Sequence, residues 1–289
     1  MTTILDTHSM VLRRLLPGDE PTSLTVRRGQ FHDVVIGSDR VVYLPRTEAA
    51  AARMPRRAAV LRVLAGLDLG FRTPEPLVAE PPFLVVGRVP GAPLAGPLVP
   101  QAVETVAAQY AALLAGLALA GAEEAVRAAL PEAAEDRWRR FADDVREELF
   151  PLMSERGRRR AERELAALDA LPRLTTAVVH GDLGPENVLW EKDADGLPRL
   201  SGVVDWDEVA LGDPAEDLAA IGAGHGPALL ERVLAPDGGP GPVERLLPPD
   251  DGLAARIAAI QGTFALQQAL SAHRDGDPEE LADGLAGYR

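Results

Sequence analysis

Two stretches concentrate residues that could do chemistry: Val178-Val179-His180-Gly181-Asp182-Leu183-Gly184-Pro185-Glu186-Asn187-Val188-Leu189-Trp190 and Gly202-Val203-Val204-Asp205-Trp206-Asp207. Asp182 and Asn187 stand five residues apart, and Asp205 follows the next apolar run. Phosphoryl transfer needs a carboxylate beside the attacking hydroxyl and hard oxygen ligands for Mg²⁺, because its difficulty lies in positioning and in neutralising phosphate charge. The spacing matches that of the base and the metal-binding amide in a phosphoryl-transfer loop. Asp182 is therefore expected to serve as base or hydroxyl-positioning group. Asn187 and Asp205 are expected as Mg²⁺ ligands, with water and nucleotide phosphates completing the shell. Each of these residues alone would suit a polar turn or a strand cap; the ordered set between β-rich runs points to chemistry.

The neighbouring residues read as support. His180, two residues before Asp182 on a strand end, is expected to orient the loop by hydrogen bonding. Asp213-Pro214-Ala215-Glu216 has the form of a helix start, which assigns Asp213 and Glu216 to structure. Nothing in the chain matches the G-x-x-x-x-G-K-[ST] phosphate loop.

The elements that must hold these residues differ along the chain. Residues 23–45 contain three short β-rich runs punctuated by Gly29 and by Gly37-Ser38-Asp39, an antiparallel meander. Thr47 opens a helical stretch to about Leu67, and Phe83–Gly87 is a further apolar strand. Pro90-Gly91-Ala92-Pro93 then reads as a hinge. Helical windows at 101–120, 134–150 and 155–170 follow, interrupted by β runs at 177–179, 188–190 and 200–204, with helices again from Pro214 and a Pro/Gly loop at 235–242. The expected organisation is an N-terminal nucleotide-binding lobe over 1–91 and a catalytic and substrate-binding lobe over 92–289. Gly29, His32, Arg46, Val86 and Gly87 are the candidate nucleotide contacts, with an exposed loop position as the plainer reading of His32.

The chain has 289 residues, 46% of them hydrophobic, enough to bury a sizeable core. Its 30 Lys and Arg against 44 Asp and Glu give a formal charge of -14, a field that repels nucleic acid and attracts cations. The absence of cysteine excludes disulfides, thiolate metal sites and cysteine nucleophiles. The N-terminus lacks a secretory pattern, and the apolar run between Glu104 and Glu123 suits a buried helix better than a membrane span. A cytoplasmic protein without membrane partners, monomeric or weakly dimeric, is expected. Candidate carboxylates for a cationic substrate are Asp207, Glu208, Asp144 and Glu147. Spacing of Arg139 with Asp143 and Arg140 with Asp144 also predicts ordinary i,i+4 surface pairs. Trp190 and Trp206 are expected in the core.

The motifs HGDLGPEN at 180–187 and GVVDWDEVALGDPAEDLA at 202–219 resemble those of the aminoglycoside phosphotransferase family. Segments 15–19, 29–38, 67–77, 262–270 and 282–289 are similar to the branch of that family directed at tuberactinomycin cyclic peptides such as viomycin and capreomycin. The resemblance implies an α+β, two-lobed protein-kinase-like fold: a small N-terminal lobe with antiparallel sheet plus helix, and a larger, mostly helical C-terminal lobe. It implies transfer of the γ-phosphate of ATP, or of GTP, with Mg²⁺, to a hydroxyl of a cationic cyclic peptide antibiotic, a seryl hydroxyl in particular. Asp213 and Asp217 would stabilise the lobe. A kinase for another cationic natural product such as an aminoglycoside, or a nucleotide-binding module without turnover, are the alternatives. The wider kinase pattern pairs a strand lysine with a helix glutamate at the α/β-phosphates. This chain offers Arg46 after the strand and has Arg57 where relatives commonly carry the glutamate. Glu48, a water, or a differently built phosphate clamp would then take over.

Overall fold

The computed structural model describes residues 4–29, 31–96, 98–235 and 252–289, so most of the expected Pro/Gly loop at 235–242 lies outside the described residues. Two compact units emerge: residues 1–98 with 186–207, and residues 99–185 with 208–289.

The first unit opens with short helices α1 (Ile4–Thr7) and α2 (Ser9–Leu15). The meander follows as β1 (Thr25–Arg28), β2 (His32–Ile36) and β3 (Arg40–Pro45). Helix α3 (Glu48–Ala65) then leads to β4 (Pro76–Glu80) and β5 (Phe83–Gly87). The sheet is antiparallel throughout in the order β1-β2-β3-β5-β4. Period-two alternation gives it two faces. Val35, Val42, Leu44 and Val85 bury one face under Leu12 and Leu15 of α2 and the adjoining Leu16. Tyr43 and its cross-strand partner Leu84 lie on the other, where α3 buries Met54, Ala58, Leu61 and Leu64. Thr47 caps α3, its hydroxyl accepting the Ala50 N–H at 3.1 Å.

The second unit begins with α4 (Pro100–Ala122), α5 (Glu124–Ala129), α6 (Arg137–Asp144) and α7 (Glu155–Asp169), followed by β6 (Ala177–Val179). Strands β7 (Val188–Lys192) and β8 (Pro198–Val203) form the hairpin that groups with the first unit, although a division at residue 92 puts them in the second lobe. The reason is backbone pairing. Arg72 donates to the Ser201 carbonyl at 3.1 Å and accepts from the Val203 N–H at 2.9 Å, while Ala92 and Trp190 exchange hydrogen bonds of 3.0 and 2.8 Å. Gly202 permits this approach, since a Cβ there would sit 2.4 Å from the Arg72 carbonyl oxygen.

Strand β9 (Ala210–Gly212) pairs antiparallel with β6. Helices α8 (Ala215–His225), α9 (Pro227–Leu234), α10 (Leu253–Gly262), α11 (Phe264–Asp275) and α12 (Pro278–Gly284) complete the unit. Helix α4 is long and apolar enough to cross a membrane by length and composition, but half of that stretch is buried inside the protein, as expected of a core helix. Its Val106, Tyr110, Leu113, Leu114 and Leu117 are all buried. A second core joins Val145, Leu149, Leu165, Leu266, Leu285 and Tyr288, so the C-terminal residues belong to the packing.

The single helix expected over 134–150 is instead α6, then a π-turn at Val145–Leu149 and a 3₁₀ turn at Phe150–Leu152, where Pro151 cannot continue an α-helix. The surface pairs also differ from those expected. Asp143 pairs with Arg146 at 3.3 Å, Arg140 with Asp136 at 2.9 Å, and Asp144 reaches Arg274 of α11 at 2.7 Å, so the expected Arg139–Asp143 and Arg140–Asp144 pairs are replaced.

Candidate active site

In the second unit, β6 ends at Val179 and delivers His180 into the interior, where it is fully buried. Its ring Nδ1 accepts the Asp182 N–H at 3.2 Å. Asp217, on the first turn of α8, holds the other side of the turn: its two carboxylate oxygens accept the His180 N–H at 2.9 Å and the Gly181 N–H at 3.0 Å. Burial pushes the Asp217 carboxyl up to about 7, against the lowering effect of those two N–H donors. Gly181 is required at its place, with φ +86° and the Glu208 backbone 2.9 Å from where a Cβ would stand. The loop is thus clamped from below, and it presents the Asp182 side chain at the surface.

Asp213 sits beneath the same helix. One oxygen accepts the Ala215 N–H at 2.9 Å and the other the Arg256 Nε–H at 2.7 Å, with both side chains more than nine-tenths buried. Glu216 forms a two-pronged pair with Arg137.

The 3₁₀ turn Pro185–Asn187 feeds β7 of the first unit, and Asn187 is 8% exposed. Its carbonyl accepts the Val204 N–H at 2.9 Å, so the hairpin places Asn187 next to the residue that precedes Asp205. Asp205 has φ +64°, the one non-glycine residue with positive φ among the described residues, a left-handed conformation that costs energy and that Asp tolerates better than most. The Asp205 side chain is 55% exposed. Asn187 precedes β7 and Asp205 follows β8, and an amide oxygen and a carboxylate are hard donors of the kind that suit Mg²⁺, an ion that draws much of its shell from water and phosphate.

Arg57 of α3 meets Asp205 and Asp207. Its guanidinium lies over the Tyr43 ring at 4.0 Å, donates from Nη1 to Asp207 Oδ2 at 2.9 Å, and places Nη2 3.6 Å from Asp205 Oδ1. Nη1 is also 3.3 Å from His32 Nδ1. His32 is not the exposed loop residue that was the plainer expectation: it begins β2, is 9% exposed, and its Nε2 is buried without a hydrogen-bond partner. Burial, reinforced by the Arg57 charge, lowers its pKa to about 4.

The other nucleotide candidates spread around the sheet. Arg46 lies exposed beyond β3 and donates to the Gly29 carbonyl at 2.9 Å, while Gly29 N–H bonds the His32 carbonyl at 2.8 Å. The Val86 side chain is core, 1% exposed, and Gly87 N–H is bonded to the Glu75 carbonyl at 2.8 Å. Of the candidate substrate carboxylates, Asp207 is engaged by Arg57, and Asp144 shares Arg274 with Glu148. Glu147 and Glu208 are exposed. Trp190 and Trp206 are buried as expected, Trp206 stacking on Phe71 with its indole N–H on the Val203 carbonyl at 3.0 Å. The Arg57 cluster is what sequence reasoning missed. The signal was the arginine itself, at a helix position where an acid was expected, but the carboxylate that anchors it, Asp207, lies 150 residues away.

The profile of the phosphotransferase enzyme family matches residues 17–247, and the chain belongs to that family. A viomycin phosphotransferase from Streptomyces vinaceus is 64% identical over 295 residues, covering 99% of each chain. Among solved structures, the GDP and kanamycin complex of APH(2")-IIia superposes with a TM-score of 0.80 at 20% identity, covering 97% of this chain and 96% of that one. A macrolide 2'-phosphotransferase type I gives 0.74 at 27% identity over 99% and 97%. The fold is therefore the α+β, kinase-like one that the sequence motifs implied.

Proposed function

We propose that this protein phosphorylates a tuberactinomycin cyclic peptide antibiotic such as viomycin or capreomycin on its seryl hydroxyl, using the γ-phosphate of ATP. The observation that carries this reading is the 64% identity to viomycin phosphotransferase along 99% of both chains. In this reading residues 1–91 bind the nucleotide and 92–289 supply the catalytic loop and bind the acceptor, in the cytoplasm. Asp182 takes up or orients the hydroxyl proton, and its loop is held ready by His180 and Asp217. Asn187 and Asp205 hold Mg²⁺, which when bound neutralises phosphate charge. The net charge of -14 favours approach of a polycationic peptide.

The test is mass spectrometry of viomycin, capreomycin, an alanine-bearing capreomycin form and kanamycin, each incubated with enzyme, ATP and Mg²⁺. One added phosphate, located by fragmentation on the seryl residue and missing from the alanine form, is the expected result. Phosphorylated kanamycin with both peptides untouched would reverse the assignment.

A further inference from the structure

Arg57 is a nearly buried cation, its side chain 10% exposed, set against one of the two residues proposed to hold Mg²⁺. The guanidinium is fixed on one side only. Tyr43 supports its face at 4.0 Å and Asp207 anchors Nη1 at 2.9 Å, with His32 Nδ1 at 3.3 Å on the same nitrogen. Nη2 is 3.6 Å from Asp205 Oδ1, beyond hydrogen-bond length but close enough to answer its charge. Of the neighbouring cations, Arg46 is turned to the Gly29 carbonyl and Arg53 lies over the Phe31 ring at 5.5 Å, while the β3 residue under the guanidinium is Tyr43.

A metal held by Asp205 draws the rest of its shell largely from nucleotide phosphates, so a group this close to Asp205 lies within reach of those phosphates. Arginine suits the task, since its planar fork keeps donors for phosphate while Nη1 remains anchored. We infer that Arg57 is the phosphate-binding cation of this chain and the standing counter-ion of Asp205: the metal replaces Nη2 at Asp205, and Nη2 turns to a phosphate oxygen while Asp207 and Tyr43 hold the rest of the side chain. The inference rests on the reading of Asp205 as a metal ligand given above.

It predicts opposite effects on two ligands. Arg57→Gln removes the charge that competes at Asp205, so Mn²⁺ alone, followed by electron paramagnetic resonance, binds roughly tenfold tighter than to the unaltered protein. The same variant, at saturating Mn²⁺, binds a fluorescent ADP analogue roughly tenfold more weakly, because a charge-assisted contact to phosphate is gone. Arg57→Lys, which keeps a positive charge, lies between the two in both measurements and serves if the glutamine variant does not fold. A purely structural Arg57 would weaken both ligands or neither, and either result overturns the inference. Asp205→Asn separates the two levels of argument: if Mn²⁺ binding survives it, the metal assignment itself fails, whereas if Asp205→Asn abolishes Mn²⁺ binding and Arg57→Gln leaves it unchanged, only the role of Arg57 is lost.

Discussion

Asp182→Asn lowers phosphate transfer by roughly 10²–10⁴-fold, the range for loss of a positioned general base, and leaves the melting temperature within a degree or so of the unaltered protein. The asymmetry follows from how the loop is built. Its structural work is done by backbone and by buried groups: the Asp182 N–H on His180 Nδ1, and the His180 and Gly181 N–H groups on Asp217. The Asp182 carboxylate is exposed, and Asn preserves its shape while removing its charge and basicity. Scanning fluorimetry beside a coupled ADP-release assay reads both halves. A variant that keeps full turnover would remove Asp182 from the chemistry, and one that melts early would make it a structural residue.

Asp213→Ala has the opposite character and should cost roughly 3–5 kcal/mol of stability. The carboxylate and Arg256 are 7% and 6% exposed, and the mutation leaves the guanidinium buried without its 2.7 Å partner while also stripping the acceptor from the Ala215 N–H. Breaking a buried pair from one side is worse than removing it whole, so Asp213→Ala combined with Arg256→Met should recover part of the loss. Urea midpoints of the two single variants and the double variant give the coupling directly. A single variant within 1 kcal/mol of the unaltered protein, or a double variant at the simple sum, would mean that the pair contributes little.

What the sequence made legible was local. The meander, helix α3 and β5 followed from β-rich runs, the Thr47 cap and short-range turn chemistry, and the site motifs followed from spacing along one stretch of chain. Strand β4 was hidden because Pro76 heads it and Pro74 precedes it, a composition that argues for a loop unless an edge position is available. Strand β9 is three residues long and exists through its pairing with β6, which no local pattern announces. The hairpin β7–β8 was visible as two strands, but its membership in the first unit depends on Arg72 and Ala92, more than 90 residues upstream in each case.

The same distinction explains the site. Asp182, Asn187 and Asp205 are read from a motif because the chemistry fixes types and spacing together. The carboxylate Asp207, read as a substrate contact, turns out to anchor Arg57, a side chain from a helix near the other end of the chain. His32 likewise changes from loop residue to buried strand residue because β2 begins at His32 itself. Over 134–150 the surface pairs differ from those expected because other partners lie nearer: Arg140 takes Asp136, its i,i+4 neighbour on the other side, and Asp144, the last residue of α6, reaches Arg274 of α11.

The central claim is that Asn187 and Asp205 share one metal while Asp182 stands by the acceptor. A crystal grown with Mn²⁺, a non-hydrolysable ATP analogue and capreomycin tests it in one map. The account predicts an anomalous peak roughly 2.0–2.2 Å from an oxygen of each of Asn187 and Asp205, with the seryl hydroxyl in hydrogen-bond reach of Asp182. A peak held by other side chains, or a peptide hydroxyl seated away from Asp182, would contradict it.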